Sequence, residues 1–227
     1  MKIGILGTGT VGQSHAAKLS GLGHDVIIGT RDVMKTLANR KPDAFGNPPI
    51  REWMAKNQKV NLGTFPEAAA HGEIVINATK GEHSMDALKT AGEKNLRGKI
   101  LIDISNPLDF SKGMPPSLLF CNTDSLGERI QRSFPAARVV KTLNTVNAML
   151  QVAPALVAGG DHHVFVSGND AGAKKEVVRL LGEWYGWKNV IDLGDITTAR
   201  GTEMLLPIWL RLWGALQTPM FNFKVMK

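Results

Sequence analysis

The run Gly7-Thr8-Gly9-Thr10-Val11-Gly12 places three glycines at the spacing G-x-G-x-x-G. Each would answer a separate steric demand if a pyrophosphate sat on this loop. Gly7 permits a tight turn, Gly9 lets the backbone approach the phosphates, and Gly12 lets the next helix pack close to the strand. The pattern is weak by itself. Here a strand-like apolar run, Lys2–Gly7, leads into it and a helical segment, Val11–Leu22, follows, which is the context a dinucleotide needs. The start of that helix would offer unpaired N–H groups and partial positive charge to the phosphates. Residues 7–12 are therefore candidate cofactor contacts.

The end of the second strand speaks to which dinucleotide is held. It reads Ile28-Gly29-Thr30-Arg31-Asp32, with Lys35 one helical turn further on. A site for an unphosphorylated adenosine ribose usually carries Asp or Glu at the strand end, to accept from the ribose hydroxyls. The residue here is Thr30. A hydroxyl donor followed by a planar cation, Arg31, suits a 2′-phosphate, and an acid in that place would repel it. Asp32 is a rival ribose acceptor, but it fits better as the amino-terminal cap of the following helix. The reading is NADP(H) rather than NAD(H), with Thr30, Arg31 and Lys35 at the phosphate.

Three further strand ends should converge near the nicotinamide, because ligands of open α/β sheets lie beyond the carboxyl ends of the strands. They are Asn77-Ala78-Thr79, followed by Lys80-Gly81-Glu82-His83; Asp103-Ile104-Ser105-Asn106-Pro107; and Val139-Val140-Lys141-Thr142-Leu143-Asn144-Thr145. Ala78, Thr79, Asn106, Asn144 and Thr145 join the cofactor candidates, and Lys141 and Pro107 are candidate substrate contacts. His83 has two readings, a phosphate contact or acid and a plain helix-start residue. Lys141 and Asn144 share the Lys-x-x-Asn spacing of some hydride-transfer enzymes. Those enzymes place it on a helix of a large second domain, for which this chain has no room. At a strand end Lys141 would instead meet substrate or a neighbouring carboxylate. His162 and His163 are adjacent, so they point to opposite faces of a strand and do not suggest a metal site. Cys121 is read as a semi-buried small apolar side chain.

These residues need a frame, and the chain supplies a βαβ rhythm. Strands are expected at Asp25–Thr30, Val60–Gly63, Glu73–Thr79, Lys99–Ile104 and Arg138–Leu143, and helices from Asp32 and over Phe65–His71, Met85–Glu93 and Asp124–Phe134. Residues 41–58, with Pro42, Gly46, Pro48 and Pro49, read as a loop-rich excursion. The last third changes character: strands at Val164–Ser167 and Val190–Leu193, a helix at Ala171–Tyr185, and a long apolar helix over Thr198–Leu216. The expected architecture is a Rossmann-type, doubly wound, mostly parallel α/β sheet with a small carboxyl-terminal α+β extension. Residues 1–150 would be the NADP-binding unit, and 151–227 a small region for substrate and dimerisation.

Bulk properties exclude several classes. Among 227 residues, 27 Lys+Arg stand against 20 Asp+Glu, for a formal charge of +7. The basic residues form no run and only one tyrosine is present, which argues against a nucleic-acid reader. The single cysteine allows neither an internal disulfide nor a thiolate zinc cluster. The apolar part of the amino terminus is too short for a signal peptide. Met204–Leu216 is interrupted by Pro207, Arg211 and Gly214, and it is shorter than the roughly 20 residues a bilayer needs. These features point to a cytoplasmic protein with small-molecule substrates, no nucleic-acid or membrane partner and no metal.

Taken together, the motifs resemble those of the F420-dependent NADP oxidoreductases. The likeness runs from the glycine loop and Gly29-Thr30-Arg31 through Glu82-His83 and 139–145. It continues through Val166-Ser167-Gly168-Asn169-Asp170, Ile191-Asp192-Leu193-Gly194, Thr198-Ala199-Arg200 and Phe221-Asn222-Phe223-Lys224, and so covers nearly the whole chain. The cytosolic domain of membrane ferric reductases is similar too. The resemblance implies NADP bound by the loop, Thr30, Arg31, Lys35, Thr79 and His83. It also implies a pocket for coenzyme F420, or a flavin, between the fourth to sixth strand ends and the carboxyl-terminal segment. Hydride transfer between stacked rings needs proximity and orientation more than a base, in keeping with the lack of an acid–base triad. Rival readings are a flavin or ferric reductase and a non-catalytic NADP(H) sensor. The apolar segment around Trp209 and Trp213 is expected near a homodimer contact.

Overall fold

The computed structural model describes residues 1–42 and 46–227. The chain runs β1 (Lys2–Leu6), α1 (Thr10–Gly21), β2 (Asp25–Thr30), α2 (Val33–Ala38), α3 (Ile50–Lys56), β3 (Val60–Thr64), α4 (Phe65–His71) and β4 (Ile74–Asn77). It continues through α5 (Gly81–Ala91), α6 (Glu93–Leu96), β5 (Ile100–Asp103), a small hairpin of β6 (Leu108–Asp109) and β7 (Ser117–Leu118), α7 (Leu126–Ser133) and β8 (Arg138–Thr142). Last come α8 (Ala148–Val152), β9 (Val164–Ser167), α9 (Ala171–Leu180), β10 (Val190–Gly194), α10 (Ala199–Met204) and α11 (Leu206–Leu216).

Eight strands form one sheet in the order β10-β9-β8-β5-β4-β1-β2-β3. All neighbours are parallel except β8 and β9, so β9 and β10 run against the other six. The region beyond residue 150 thus extends the edge of the same sheet. β1, β4 and β5 are near-continuous apolar runs because both faces are covered. On one face Ile3, Ile5, Ile28 and Ile76 pack with Ala16 and Leu19 of α1 and with Trp184, Tyr185 and Trp187. On the other, Leu6, Val75 and Leu101 pack with α4, α5 and α7 through Ala68, Leu88 and Ile130. α4 lies directly on β1, since a Cβ at Gly4 would stand 2.1 Å from the Ala68 carbonyl oxygen. Its start is fixed by a capping box of Thr64 and Glu67.

Several sequence expectations are corrected. The excursion 41–58 contains α3, which starts behind Pro49 and supplies buried Ile50; residues 43–45 of that excursion lie outside the described residues. α5 begins at Gly81 rather than Met85, where a glycine tolerates close approach of the Asn106 carbonyl. The Ala171–Tyr185 helix widens into a π turn at Leu181–Tyr185 that seats Trp184 and Tyr185 in the core. The Thr198–Leu216 helix is broken into α10 and α11, because Pro207 has no N–H and fits only the first turn of a new helix. The hairpin of β6 and β7 was not legible as strands. Cys121 is exposed rather than semi-buried, since its loop lies outside the sheet.

His15 of α1 is buried, with Nδ1 2.6 Å from the Tyr185 hydroxyl and Nε2 3.0 Å from Gln151 Oε1. Burial lowers its pKa to about 4, against a weaker opposing pull from Gln151. A depressed histidine is neutral in the fold, so its contribution is full above about pH 6.5 and is lost as pH falls toward 4. The span of that shift corresponds to about 3 kcal/mol. The melting temperature should therefore drop across this window, and His15→Gln should flatten the profile. A variant profile as steep as wild type contradicts the assignment.

Candidate functional site

The sheet order reverses between β1 and β4, and the glycine loop sits there. Gly7, at φ +117°, passes so close to β4 that a Cβ would stand 2.6 Å from the Ala78 carbonyl oxygen. Gly12 presses on the loop, its hypothetical Cβ 2.0 Å from the Gly7 carbonyl oxygen. A Cβ at Gly9 would meet nothing within 4 Å, so the space above the loop is open for a ligand. α1 has no capping side chain and no acid in its first turn, so its positive end faces that space uncompensated. The loop is braced by Gln13 Nε2 donating to the Thr8 carbonyl at 2.8 Å. Gly12→Ala should push α1 off the loop, costing about 2 kcal/mol of stability and at least about tenfold in dinucleotide affinity, read by thermal melts and calorimetry. Unchanged values for both contradict the packing role.

Two clefts meet at this loop. The first, about 570 Å³, runs over the loop to the ends of β2 and α2, past Thr30, Arg31, Lys35, Thr36 and Lys41, with Thr79, Lys80 and His83 on the other side. Asp32 faces away from ribose duty: its Oδ1 accepts from the Lys35 backbone N–H at 3.0 Å and caps α2. The Thr30 hydroxyl lies 2.7 Å from that of Thr36. Arg31 is exposed, and Lys35 is held only loosely, 3.8 Å from Asp32. Residues 47–50 reach the loop, with Asn47 donating to the Thr10 hydroxyl at 2.9 Å and Pro48, Pro49 and Ile50 lining the cleft. His83 is half exposed in the first turn of α5, 3.6 Å from Glu82, beside the phosphate region.

The second cleft, about 380 Å³, shares Gly9, Ala78, Thr79 and Lys80 with the first. Its floor is polar: Ser105, Asn106 and Asn144. Asn106 and Asn144 lock to each other, Asn106 Nδ2 donating to the Asn144 carbonyl at 2.8 Å and Asn144 Nδ2 to Asn106 Oδ1 at 3.0 Å. Leu143, at φ +59°, turns the chain after β8 so that Asn144 can do this. The walls are apolar: Leu108, Phe110 and Met114 from the hairpin face Leu206, Trp209, Leu210 and Trp213 of α11. Trp209 stacks on Phe221 at 5.2 Å, and its buried indole N–H finds no acceptor among the described residues. Such a slot fits a flat aromatic molecule with polar edges.

The structure separates the predicted site residues. Gly7, Thr8, Gly9, Thr30, Arg31, Lys35, Thr79 and His83 line the first cleft, and Thr10, Val11, Ala78, Asn106 and Asn144 the second. Thr145 and Pro107 are buried behind the clefts; the Pro107 carbonyl accepts from the Leu119 N–H at 2.8 Å and anchors the hairpin. Lys141 is corrected as a substrate contact, because its side chain has no exposed surface. Its ammonium lies 2.8 Å from Asp103 Oδ2 and 2.9 Å from Glu203 Oε1, and donates to the Ser105 carbonyl at 2.5 Å. Burial alone would push this lysine down, but the two carboxylates outweigh it and hold the ammonium above its ordinary value. Trp209 and Trp213 line the second cleft. The hairpin side of the second cleft was missed because Leu108, Phe110 and Met114 lie about a hundred residues from α11 in a segment that is only generically apolar.

The sheet order, the glycine loop at the switch point and the cleft joining a basic end to an apolar slot define a Rossmann-type oxidoreductase. Residues 2–107 match the family model described as NADP oxidoreductase, coenzyme F420-dependent. The chain is 60% identical to a provisionally assigned F420-dependent NADP-reductase from Arthrobacter sp. FB24, over the whole of both chains, with a TM-score of 0.96. It is 28% identical to the F420-dependent NADP reductase of Methanothermobacter marburgensis, across 93% of this chain and 92% of that one. It is also 29% identical to the metalloreductase STEAP3 of Rattus norvegicus, across 92% of this chain but 38% of the relative. The chain belongs to the family of coenzyme F420-dependent NADP oxidoreductases.

Proposed function

We propose that this protein transfers hydride between NADP(H) and coenzyme F420, each in its own cleft, with the reacting rings meeting above Gly9 and Thr79. The observation that carries this is the junction itself: one cleft is basic at its far end, the other is walled by aromatic and aliphatic side chains, and Gly9, Ala78, Thr79 and Lys80 belong to both. The loop and α1 would hold the pyrophosphate, Thr30, Arg31 and Lys35 the 2′-phosphate, and Leu108, Phe110, Trp209 and Leu210 the deazaflavin ring. NADPH supplies the hydride chemistry. The chain's own part is to orient two planar molecules and keep water from between them.

A second reading follows from the likeness to the metalloreductase: reduction of a flavin or a ferric chelate from the same NADPH site. NADPH oxidation with F420, FMN or a ferric chelate as acceptor separates the two. The first reading expects F420 to be favoured by at least about a hundredfold in kcat/KM, a gap of the size lost when a polar-edged ring leaves its partners unpaired. Comparable rates with FMN or iron overturn it. Among the described residues no helix is long and apolar enough to cross a membrane. The proposed setting is the cytoplasm. The proposed assembly is a homodimer using exposed Ile208 and Leu216 of α11, for which light scattering would return twice the chain mass.

A further inference from the structure

The buried cluster of Lys141, Asp103 and Glu203 lines neither cleft, yet it bonds both the floor of the second one and the helix that leads into its wall. Asp103 closes β5, and its Oδ1 accepts from the Ser105 hydroxyl at 2.6 Å and from Asn77 Nδ2 at 2.8 Å. The Lys141 ammonium takes the Ser105 carbonyl as well, so the cleft floor hangs on this cluster. Glu203 lies on α10. Besides Lys141, its carboxylate accepts the backbone N–H groups of Leu126 at 2.8 Å and Gly127 at 3.1 Å, at the start of α7. α10 passes into α11 with helical bonds on both sides of the joint, Leu205 N–H to the Gly201 carbonyl and Trp209 N–H to the Leu205 carbonyl. The wall residues Leu206, Trp209, Leu210 and Trp213 begin three positions after Glu203.

We propose that Lys141 and Glu203 are positioning residues for the second substrate: one buried ammonium ties the cleft floor to the α10–α11 wall and fixes the width of the slot. The inference rests on the second cleft being a substrate site. It assigns no contact to either residue. Among the described residues Lys141 and Glu203 bond nothing that lines the dinucleotide cleft; Asp103 reaches it only at second hand, through Asn77, whose Oδ1 accepts from the Thr79 hydroxyl at 2.7 Å. A shift of the wall should therefore weaken only the second substrate. A misplacement of about 1 Å is enough to matter by up to a hundredfold in a reaction that depends on ring orientation.

Glu203→Gln is the test, because it keeps the side-chain shape while Arg200 still bonds Glu128 and holds α10 to α7. The expected result is a rise of about tenfold in KM for F420 with the Kd for NADPH, by calorimetry, within about twofold. Hydrogen exchange on the substrate-free protein should show residues 206–216 opening faster and α1 unchanged, a readout that stands even if F420 proves not to be turned over. Leu205→Gly, which loosens the joint without touching the cluster, should raise the same KM, and adding Glu203→Gln to it should change little, since both act through one link. If Glu203→Gln does not fold, Leu205→Gly decides through the same KM and exchange measurements. An unchanged KM with unchanged exchange at 206–216 overturns the proposal. So do equal losses for both substrates with faster exchange in α1, which would mark a general stability role.

Discussion

Replacing Arg31 with alanine is expected to raise the Kd for NADPH by about fiftyfold while leaving that for NADH within about twofold, the size of one charge-assisted hydrogen-bonded contact. The strand-end position that would carry an acid for an unphosphorylated ribose is Thr30, whose hydroxyl faces Thr36. The one acid lining that end among the described residues, Asp32, is engaged as the cap of α2. What remains at that end of the cleft are the cations Arg31, Lys35 and Lys41. Lys35 is exposed and tethered to Asp32, so salt screens it. The planar guanidinium can take two phosphate oxygens at once, which an ammonium does not do. Calorimetry with both cofactors at two salt concentrations checks this. Equal losses for NADPH and NADH would mean that Arg31 serves the loop and not the phosphate.

The largest stability effect should come from Lys141→Met. Lysine and methionine have similar length, so packing changes little. The change leaves Asp103 and Glu203 buried without the ammonium that lies between them. Removing one partner of a buried ion pair costs about 3–5 kcal/mol, because the remaining charge stays desolvated. For a chain of this size that corresponds to a fall of roughly 6–20 °C in Tm. Both carboxylates keep their other donors, the Leu126 and Gly127 amides on Glu203 and Asn77 and Ser105 on Asp103, so a folded population should persist at low temperature. Thermal and denaturant unfolding measure the loss. If Lys141→Met were as stable as wild type but inactive, the lysine would be acting on substrate, and the buried-anchor account would fall.

Much of the first cleft was legible in the sequence because its chemistry is local. The strand, the three glycines and the helix lie within the first 21 residues, and Thr30, Arg31 and Asp32 are consecutive. Asp32 was readable as a cap from its type and place alone, and the structure puts it there. The alternation of strands and helices gave the doubly wound sheet, because buried parallel strands are nearly uniform apolar runs. The antiparallel entry of β9 was not readable, since direction leaves no mark on a four-residue strand. Nor was the hairpin of β6 and β7, whose strands have two residues each and no period. Pro207 was visible, and the break it makes between α10 and α11 could have been read from it. The place of the second cleft, between the fourth to sixth strand ends and the carboxyl-terminal segment, came from the family resemblance, whereas its hairpin wall could not be read, because Phe110 and Trp209 meet only through the tertiary fold. The same holds for Lys141: a neighbouring carboxylate was among its expected partners, but nothing near it in the chain pointed to Glu203.

Two substrates held side by side should pass hydride directly from ring to ring, and isotope transfer tests this most directly. NADPH carrying deuterium at the reactive face of the nicotinamide, mixed with the protein and F420 in ordinary water, should yield reduced F420 that retains the deuterium on its ring carbon. Reduced F420 free of label, or no reduction at all with NADPH bound, would contradict it.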